Sequence, residues 1–236
     1  MQHLFGTLVN FIAIILGSLL GIIFKKKINQ EIGYSLYKVL GLCVIYLGIA
    51  GLVKVENSLA IILSMALGTL IGEYIGIEDK LEVLSGKIEI LVNKVYKGKI
   101  KDGFLTATLL FCIGSMAIIG SIESTLSNNH STLYAKSILD GIMAVIFSST
   151  MGFGVLLSSF SVLIYQGGIS VLASFIKPIM TVETISMISG VGSIMIMGLG
   201  INMVFNTKLK ISNMLPSILI PILYTLVMML KVRFIG

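Results

Sequence analysis

The sequence predicts an all-α protein, a polytopic bundle of membrane-spanning helices. Of its 236 residues, 56% are hydrophobic and only 12% are charged, whereas soluble domains carry about 25% charged residues. The apolar residues also lie in long blocks, such as 4–24 and 215–230. Blocks of roughly 20 residues match the bilayer core at about 1.5 Å per residue. We therefore expect a single membrane domain over residues 1–236.

The apolar blocks predict seven or eight spans. We expect the first block to be a span rather than a cleaved leader, because it lacks a basic start and is followed by three lysines rather than a small-residue cleavage site. The count is open at the other end, since an eighth span would place Lys231 and Arg233 on the side that has few basic residues. The eight apolar segments are 4–24, 34–53, 58–77, 104–122, 133–150, 153–176, 184–204 and 214–231.

The lysines predict how the chain is oriented. Three of them follow the first segment, and six lie in the long connection 78–103. If every segment spans, both groups lie on one side, which the positive-inside rule assigns to the cytoplasm. The N-terminus is then outside. This pattern assigns the net charge of +6 to membrane topology, and no nucleic acid partner is expected.

Within the connection 78–103, the segment 79–97 has the pattern of an amphipathic helix. Apolar residues such as Leu81, Leu84 and Ile88 recur at intervals of three and four, with Glu and Lys between them. A helix with one apolar face and a basic polar face is suited to lie on the inner leaflet. The alternative is a cytoplasmic gate or a helix that binds a partner.

The first and second thirds of the chain show a weak internal similarity. An offset of 97 residues places Gly17 and Ser18 on Gly114 and Ser115. The segments in 1–77 would then correspond to those in 104–176, and an odd number of spans per unit requires opposite orientations. Inverted repeats of this kind occur in many secondary transporters. Matches by chance are common in sequences rich in Leu and Gly, so the repeat stays an open hypothesis.

The segment "CIGSMAIIGSIES" concentrates glycine and serine, including Gly114 and Ser115. Small residues let membrane helices pack closely. They also tolerate a break in a helix, and a break offers free backbone groups to a solute or an ion. Both interpretations remain open at this stage.

Lys136 and Asp140 lie inside the segment 133–150. Asp140 would be about 10 Å deep at 1.5 Å per residue, with Lys136 one turn away on the same face. A charge at the centre of a membrane helix costs about 3 kcal/mol on insertion scales, and such residues are commonly functional. The pair is either a neutralised packing element or a site of proton or cation coupling.

Three amides also lie within apolar segments: Asn10, Gln166 and Asn202. Each could bond a neighbouring helix, at about 1 kcal/mol or less, or line a polar pathway. The sequence holds no phosphate-binding loop, no zinc-binding HExxH and no nucleophile–base order. We therefore predict no enzyme activity, no cofactor and no metal site.

Several stretches resemble the YqgA/YdfK-like family of bacterial integral membrane proteins of unknown function. The resemblance covers nearly the whole chain and includes "GTLVNFIAIILGSLLG" near the start, "FCIGSMAIIGSIES" at 111–124 and "LYAKSILDGIMAVIFSSTMGFGVLLSS" at 133–159. It also includes "YQGGISVLA" at 165–173 and "NMLPSILI" at 213–220. The resemblance implies a multi-pass protein of the bacterial plasma membrane, with no implied substrate. It further implies that Asn10, Gly114, Ser115, Lys136, Asp140 and Gln166 belong to recurring motifs. Family members carry an Asp-Gly pair where Ser124 and Thr125 stand here.

These observations predict a secondary transporter or channel-like permease for a small solute or ion. Asp140 would be the coupling carboxylate, Lys136 its counter-charge or an anion contact. Polar residues such as Asn10, Ser115 and Gln166 would line the pathway. The alternative is a non-transporting membrane sensor or scaffold subunit with a structural Lys136–Asp140 pair. The expected partners are the lipid bilayer and the unknown solute, and a homo-oligomer is left open.

Overall fold

The computed structural model describes residues 4–25, 30–53, 55, 57–92, 100–113, 115–126 and 128–235. These residues form helices and connecting turns, and no strand occurs among them, which confirms the all-α class. Two 3₁₀ helices, Lys177–Ile179 and Ile211–Ile218, accompany the α-helices. The α-helices are α1 (Phe5–Lys25), α2 (Gln30–Leu52), α3 (Ser58–Ile75), α4 (Ile77–Val92), α5 (Lys101–Cys112), α6 (Ser115–Leu126), α7 (Ser131–Met151), α8 (Phe153–Ile176), α9 (Val182–Phe205) and α10 (Leu219–Ile235).

Six stretches of the described residues are long and apolar enough to cross a membrane, and α5 with α6 makes a seventh if the bent pair is one span. The remaining predicted span is α7. Its 21 residues make a helix about 30 Å long, which is enough to cross the hydrocarbon core. It is less apolar than the others because it contains Lys136, Asp140 and several hydroxyl side chains.

Capping residues explain where α3 and α9 begin. The Asn57 side chain accepts a hydrogen bond from the Ala60 N–H at 3.1 Å, and the Thr181 hydroxyl accepts one from the Thr184 N–H at 3.1 Å. Each satisfies a donor that the first turn of a helix leaves free. At the other end of α3, Gly76 has a φ of 68°. Glycine adopts this left-handed conformation at little cost, so the chain turns directly into α4.

Glycines bring α1 and α7 together in the same direction. A Cβ on Gly6 would meet Leu133, and a Cβ on Gly17 or Gly21 would overlap the backbone carbonyl of Gly141 or Val145. Residues early in α1 therefore contact residues early in α7, so the two helices run parallel. Without a hydrophobic driving force between helices in lipid, this close backbone approach supplies much of the packing energy.

Further contacts define the directions of the other helices. Phe11 packs against Phe160 with ring centroids 5.3 Å apart, and Leu4 is the neighbour of Gly167, so α1 and α8 are antiparallel. In the same way α2 runs antiparallel to α9, α3 antiparallel to the 3₁₀ helix at 211–218, and α5 parallel to α8. These directions agree with a chain that alternates sides at every predicted span. We call the side on which α1 begins the N-terminal side.

At the opposite side, two sets of polar contacts hold the helix ends. The Lys38 ammonium donates to the Val204 carbonyl and, at 3.1 Å, to the Asn206 side chain. A cation is favoured there because the C-terminal carbonyls of α9 carry partial negative charge. The Glu78 N–H donates to the Asn213 side chain at 2.7 Å.

The inverted repeat is not confirmed. A two-fold relation between 1–77 and 104–176 would map α1 onto the α5–α6 pair and α2 onto α7. The contact between α1 and α7 would then have a counterpart between the α5–α6 pair and α2. In the structure α2 packs mainly on α9. The offset also places Gly17 and Ser18, inside the continuous helix α1, on the point where α5 and α6 separate.

The predicted amphipathic helix corresponds to α4, which ends at Val92. Residues 93–99 lie outside the described part of the chain. Among the described charges of α4, four are acidic (Glu78, Asp79, Glu82, Glu89) and two are basic (Lys80, Lys87). The polar face is therefore mixed rather than basic over this stretch. Leu84 and Ile90 are exposed, as an interfacial helix requires.

Candidate functional site

A buried charge pair on α7 forms the centre of the candidate site. The Lys136 ammonium donates to both carboxylate oxygens of Asp140, at 2.9 and 2.6 Å. Lys136 is 6% exposed and Asp140 is 7% exposed. The two lie at i and i+4, where helical side chains are neighbours. Each charge therefore offsets much of the desolvation cost of the other.

Asn10 of α1 completes the coordination of Asp140. Its Nδ2 donates to the second carboxylate oxygen of Asp140 at 2.9 Å, and Asn10 is fully buried. The contact is possible because Gly17 brings the two helix backbones close together. Three sequence-predicted site residues, Asn10, Lys136 and Asp140, thus form one hydrogen-bonded cluster.

A large cavity in the half of the bundle nearer the N-terminal side reaches this cluster. Its volume is 1430 Å³, and both Lys136 and Asp140 contribute to its wall. Pockets that bind small molecules commonly measure about 300–1,000 Å³, so the space is sufficient for a small solute with water. The wall is formed by the end of α2, the starts of α3 and α9, the α5–α6 junction and the middle of α7. It is mainly apolar, with polar groups from Asn57, Ser58, Glu183, Ser186, Ser189 and Ser193.

A break between two helices lies at the wall of the cavity. The helix α5 ends at Cys112, Ile113 is extended with φ −78° and ψ 131°, and α6 begins at Ser115. The axes of the two helices differ by 59°. Ile113, Met116 and Ala117 contribute to the cavity wall. The Gly/Ser-rich segment was compatible with either close packing or a break. In the structure the helix is broken there, beside the charge pair.

Of the sequence-predicted residues at this break, Gly114 lies outside the described part of the chain. Ser115 is described as the first residue of α6, and its side chain lies outside the described part. Their roles as pathway residues stay predictions.

The other two predicted amides lie in different places. Gln166 is fully buried on α8, the helix that packs antiparallel to α1. Asn202, by contrast, bonds the turn after α9: its Nδ2 donates to the Leu209 carbonyl at 2.8 Å, and its Oδ1 accepts from the Leu209 N–H at 2.9 Å. Asn202 stabilises this turn and does not join the cluster around Asp140.

Sequence reasoning did not select a set of small polar residues that accompany Gln166. Six buried side-chain atoms find no hydrogen-bond partner among the described residues, and all of them lie on α1 or α8. They belong to Thr7, Asn10, Ser18, Gln166 and Ser170. Hydroxyl side chains in apolar segments are common, so composition alone could not have distinguished these from Ser137 or Ser158, which bond their own helix.

A metal ligand set is not visible in the part of the chain that the structure describes, where no three His, Cys, Asp or Glu side chains come together. The chemistry available at the site is that of two carboxylates, Asp140 and Glu183, with one ammonium, an amide and a mainly apolar cavity.

Comparisons with known proteins place the chain in a family. The model of a family described as proteins of unknown function, DUF554, matches residues 5–226. The chain belongs to this family. It is 35% identical over 222 residues to the uncharacterised membrane protein YdfK of Bacillus subtilis strain 168, covering 92% of this chain and 94% of that protein. It is 29% identical over 219 residues to the uncharacterised protein YqgA of Escherichia coli strain K12, covering 91% and 93%. No solved structure matches the chain.

The family resemblance seen in the sequence is thereby confirmed over nearly the whole chain. Together with the apolar helices, the similarity to YdfK supports a membrane protein. The names of both relatives carry no activity and no substrate.

Proposed function

We propose that the protein is a secondary transporter or channel-like permease of the bacterial plasma membrane that moves a small solute, coupled to protons or cations through Asp140. The observation that carries this proposal is the cavity that reaches the buried Lys136–Asp140 pair. A packing element needs no such access, whereas a coupling carboxylate must meet both an ion and the solute pathway. Buried ionisable residues that face a cavity commonly mark such pathways.

The chemistry of the pair suggests how coupling works. In the described geometry both Asp140 oxygens hold the Lys136 ammonium. A proton that binds one of these oxygens neutralises the carboxylate and removes the attraction that holds the ammonium. Lys136 is then free to pair with an anionic group in the cavity. Release of the proton restores the Asp140 carboxylate, which competes for Lys136 and expels the anion.

The cavity wall favours a small organic anion over an inorganic ion. Most of the wall is apolar, which suits a hydrocarbon body, and Lys136 is positioned to meet a charged group at the end of that body. The serines at 186, 189 and 193 of α9 offer hydroxyls for further polar atoms of the solute. Pockets for organic ligands commonly combine apolar walls with a few polar groups.

The test is uptake into proteoliposomes. Radiolabelled mono- and dicarboxylates of two to six carbons would be screened with an inward proton gradient, using wild-type protein, Asp140→Asn and the matched control Asp79→Asn on the exposed side of α4. We expect uptake of at least one acid, driven by the gradient in wild type and the control and lost in Asp140→Asn. Equal uptake and equal pH dependence in Asp140→Asn would show that Asp140 has no coupling role.

The second candidate function is a membrane sensor or scaffold subunit. It is favoured by the completeness of the cluster, because Lys136 and Asn10 already satisfy Asp140 in the described geometry. It predicts no uptake of any acid in the panel. It also predicts that photo-crosslinkers placed on the exposed face of α4, at Leu84 and Ile90, capture one defined partner in the native membrane.

A further inference from the structure

The buried polar atoms on α1 and α8 form a second feature beside the cavity. We call Thr7, Asn10 and Ser18 of α1 with Gln166 and Ser170 of α8 the polar seam. All five residues are between 0% and 3% exposed. None of them contributes to the wall of the large cavity. The seam therefore meets the proposed solute site only at Asn10, which bonds Asp140.

The two halves of the seam lie on helices that pack together. Thr7 precedes Phe11 by one turn, so it lies on the side of α1 where Phe11 meets Phe160 of α8. Gln166 is next to Gly167, whose neighbour is Leu4, and this places Gln166 within about one turn of the level of Thr7. Asn10 follows Thr7 by three residues and donates to Asp140. Thr7, Asn10, Gln166 and Ser170 thus lie between the start of α1 and the charge pair. Ser18 lies about 12 Å beyond Asn10 along α1 and outside this route.

The unpaired atoms specify what the seam can bind. Both amide atoms of Gln166, one donor and one acceptor, find no partner among the described residues, and neither do the hydroxyls of Thr7, Ser18 and Ser170 or the Asn10 carbonyl oxygen. Leaving such groups unpaired in a buried site is costly. A water molecule can both donate and accept, and buried waters commonly make about three bonds to such groups. A metal cation would leave the Gln166 N–H donors unpaired.

The seam also approaches polar groups at the N-terminal side. Ser124 of α6 lies beside Gly6, and its hydroxyl bonds the His130 ring nitrogen at 2.8 Å. Close to these residues in the sequence, the Thr132 hydroxyl donates to the Glu123 carboxylate at 2.7 Å. Hydroxyl, imidazole and carboxylate groups therefore mark the end of the seam that is further from Asp140.

We propose that the polar seam binds a short chain of ordered water molecules that carries protons from the N-terminal side to Asp140, separately from the solute cavity. The binding of water does not depend on the proposed function, whereas the proton-carrying role rests on it. Both the seam and the cavity lie in the half of the bundle nearer the N-terminal side, as co-transport of a proton with an organic anion requires. The proton arrives on an Asp140 oxygen, and Lys136 is released towards the cavity.

Other titratable groups around Asp140 have to be considered in any pH experiment. They are Lys136 on the same helix, Cys112 at the end of α5 with Tyr165 of α8 near it, and Cys43, Tyr46 and Glu183 on the cavity wall. Infrared difference spectroscopy separates Asp140 from these, because a protonated carboxyl has its own C=O band and the Asp140 band disappears in Asp140→Asn.

Water binding is tested by an experimental structure in lipid nanodiscs at a resolution that shows water. We expect density within hydrogen-bond distance of both Gln166 amide atoms and of the Thr7 hydroxyl. The proposal is overturned if the seam is dry and Gln166 bonds Thr7 or the main chain directly. Density with the short contacts of a coordinated cation overturns it as well.

The proton route is tested by a pH jump followed by infrared spectroscopy, with no solute present. The cavity is first closed by a bulky thiol adduct on Met143→Cys, in a Cys43→Ala/Cys112→Ala background. We expect Gln166→Leu to slow protonation of Asp140 by more than about tenfold. The matched control is Ser159→Ala, two turns away on the same face of α8, whose hydroxyl is already bonded to Leu156, and its rate stays within about twofold of wild type. Equal rates for Gln166→Leu and Ser159→Ala overturn the route, whether or not any acid is transported.

Discussion

At the scale of residues, the cluster of Asn10, Lys136 and Asp140 shows why a charge pair can persist in an apolar helix. Each charge lies within hydrogen-bond distance of the other, and an amide completes the coordination of the carboxylate. Removing one partner of a buried pair leaves an uncompensated charge, whereas removing both does not. Removing one of the two charges should therefore destabilise the fold more than removing both.

This dependence can be measured with a double-mutant cycle. We predict that Lys136→Met and Asp140→Leu each lower the free energy of unfolding by about 3 kcal/mol, and that the double variant regains most of that loss. The measurement is unfolding of the purified protein in mixed micelles by titration with a denaturing detergent. Single variants as stable as wild type would contradict a tightly coupled pair.

The sequence was sufficient to select these charged residues, because an Asp and a Lys one turn apart are conspicuous in an apolar block. It was not sufficient for the amides. Asn10 and Asn202 look alike in sequence, yet Asn10 bonds Asp140 and Asn202 bonds a turn. The difference depends on which helices pack together, and this information lies outside any local pattern.

At the scale of elements, close helix approach depends on a few glycines. A Cβ on Gly17 would overlap the Gly141 carbonyl between α1 and α7, whereas a Cβ on Gly168 of α8 meets nothing within 4 Å. Both residues lie within helices, so the change in helix propensity is the same. Comparing glycine-to-alanine substitutions at these two positions therefore distinguishes the effect of helix packing from that of helix propensity.

We predict that Gly17→Ala lowers the free energy of unfolding by about 1–3 kcal/mol, since the two helices must move apart. Gly168→Ala should be neutral or stabilising by up to about 1 kcal/mol, because alanine is the better helix former. Unfolding in mixed micelles measures both variants. Equal effects at the two positions would contradict the described α1–α7 contact.

The break between α5 and α6 was only one of two possibilities in the sequence. Glycine and serine favour close packing as well as breaks, and a local pattern cannot decide between them. The structure adds the bend of 59° and the position of the break beside the cavity. Only the tertiary arrangement brings this junction next to Lys136 and Asp140.

At the scale of the whole molecule, the helix directions agree with alternating spans, which hydropathy and the lysine pattern predicted. The class of fold could be predicted because long apolar blocks have few alternatives in a membrane. The cavity could not be predicted, since its wall combines five separate parts of the chain. Each part contributes apolar side chains that could equally well face lipid.

The orientation in the membrane is a separate prediction. In intact cells, Asn129→Cys, between α6 and α7, should react with a membrane-impermeant maleimide added outside, and Gly86→Cys on α4 should react only after the cells are opened. Both variants are made in the Cys43→Ala/Cys112→Ala background, with that background as the control. Labelling of Gly86→Cys from outside would reverse the predicted topology.

The most direct test of the central claim, a water-accessible cavity that reaches Lys136 and Asp140, is the reactivity of a cysteine placed in the cavity wall one turn from Asp140. Met143→Cys is compared with Val171→Cys, a position that is 75% exposed on the outer surface of α8 and outside the cavity. Both are made in the Cys43→Ala/Cys112→Ala background, because Cys43 lies on the same wall, and are treated in proteoliposomes with a small, charged, membrane-impermeant thiol reagent. We predict rapid modification of Met143→Cys and none of Val171→Cys, because thiols react as thiolates in water. If Met143→Cys reacts no faster than Val171→Cys, then water does not reach Lys136 and Asp140. That result would contradict a solute pathway to Asp140.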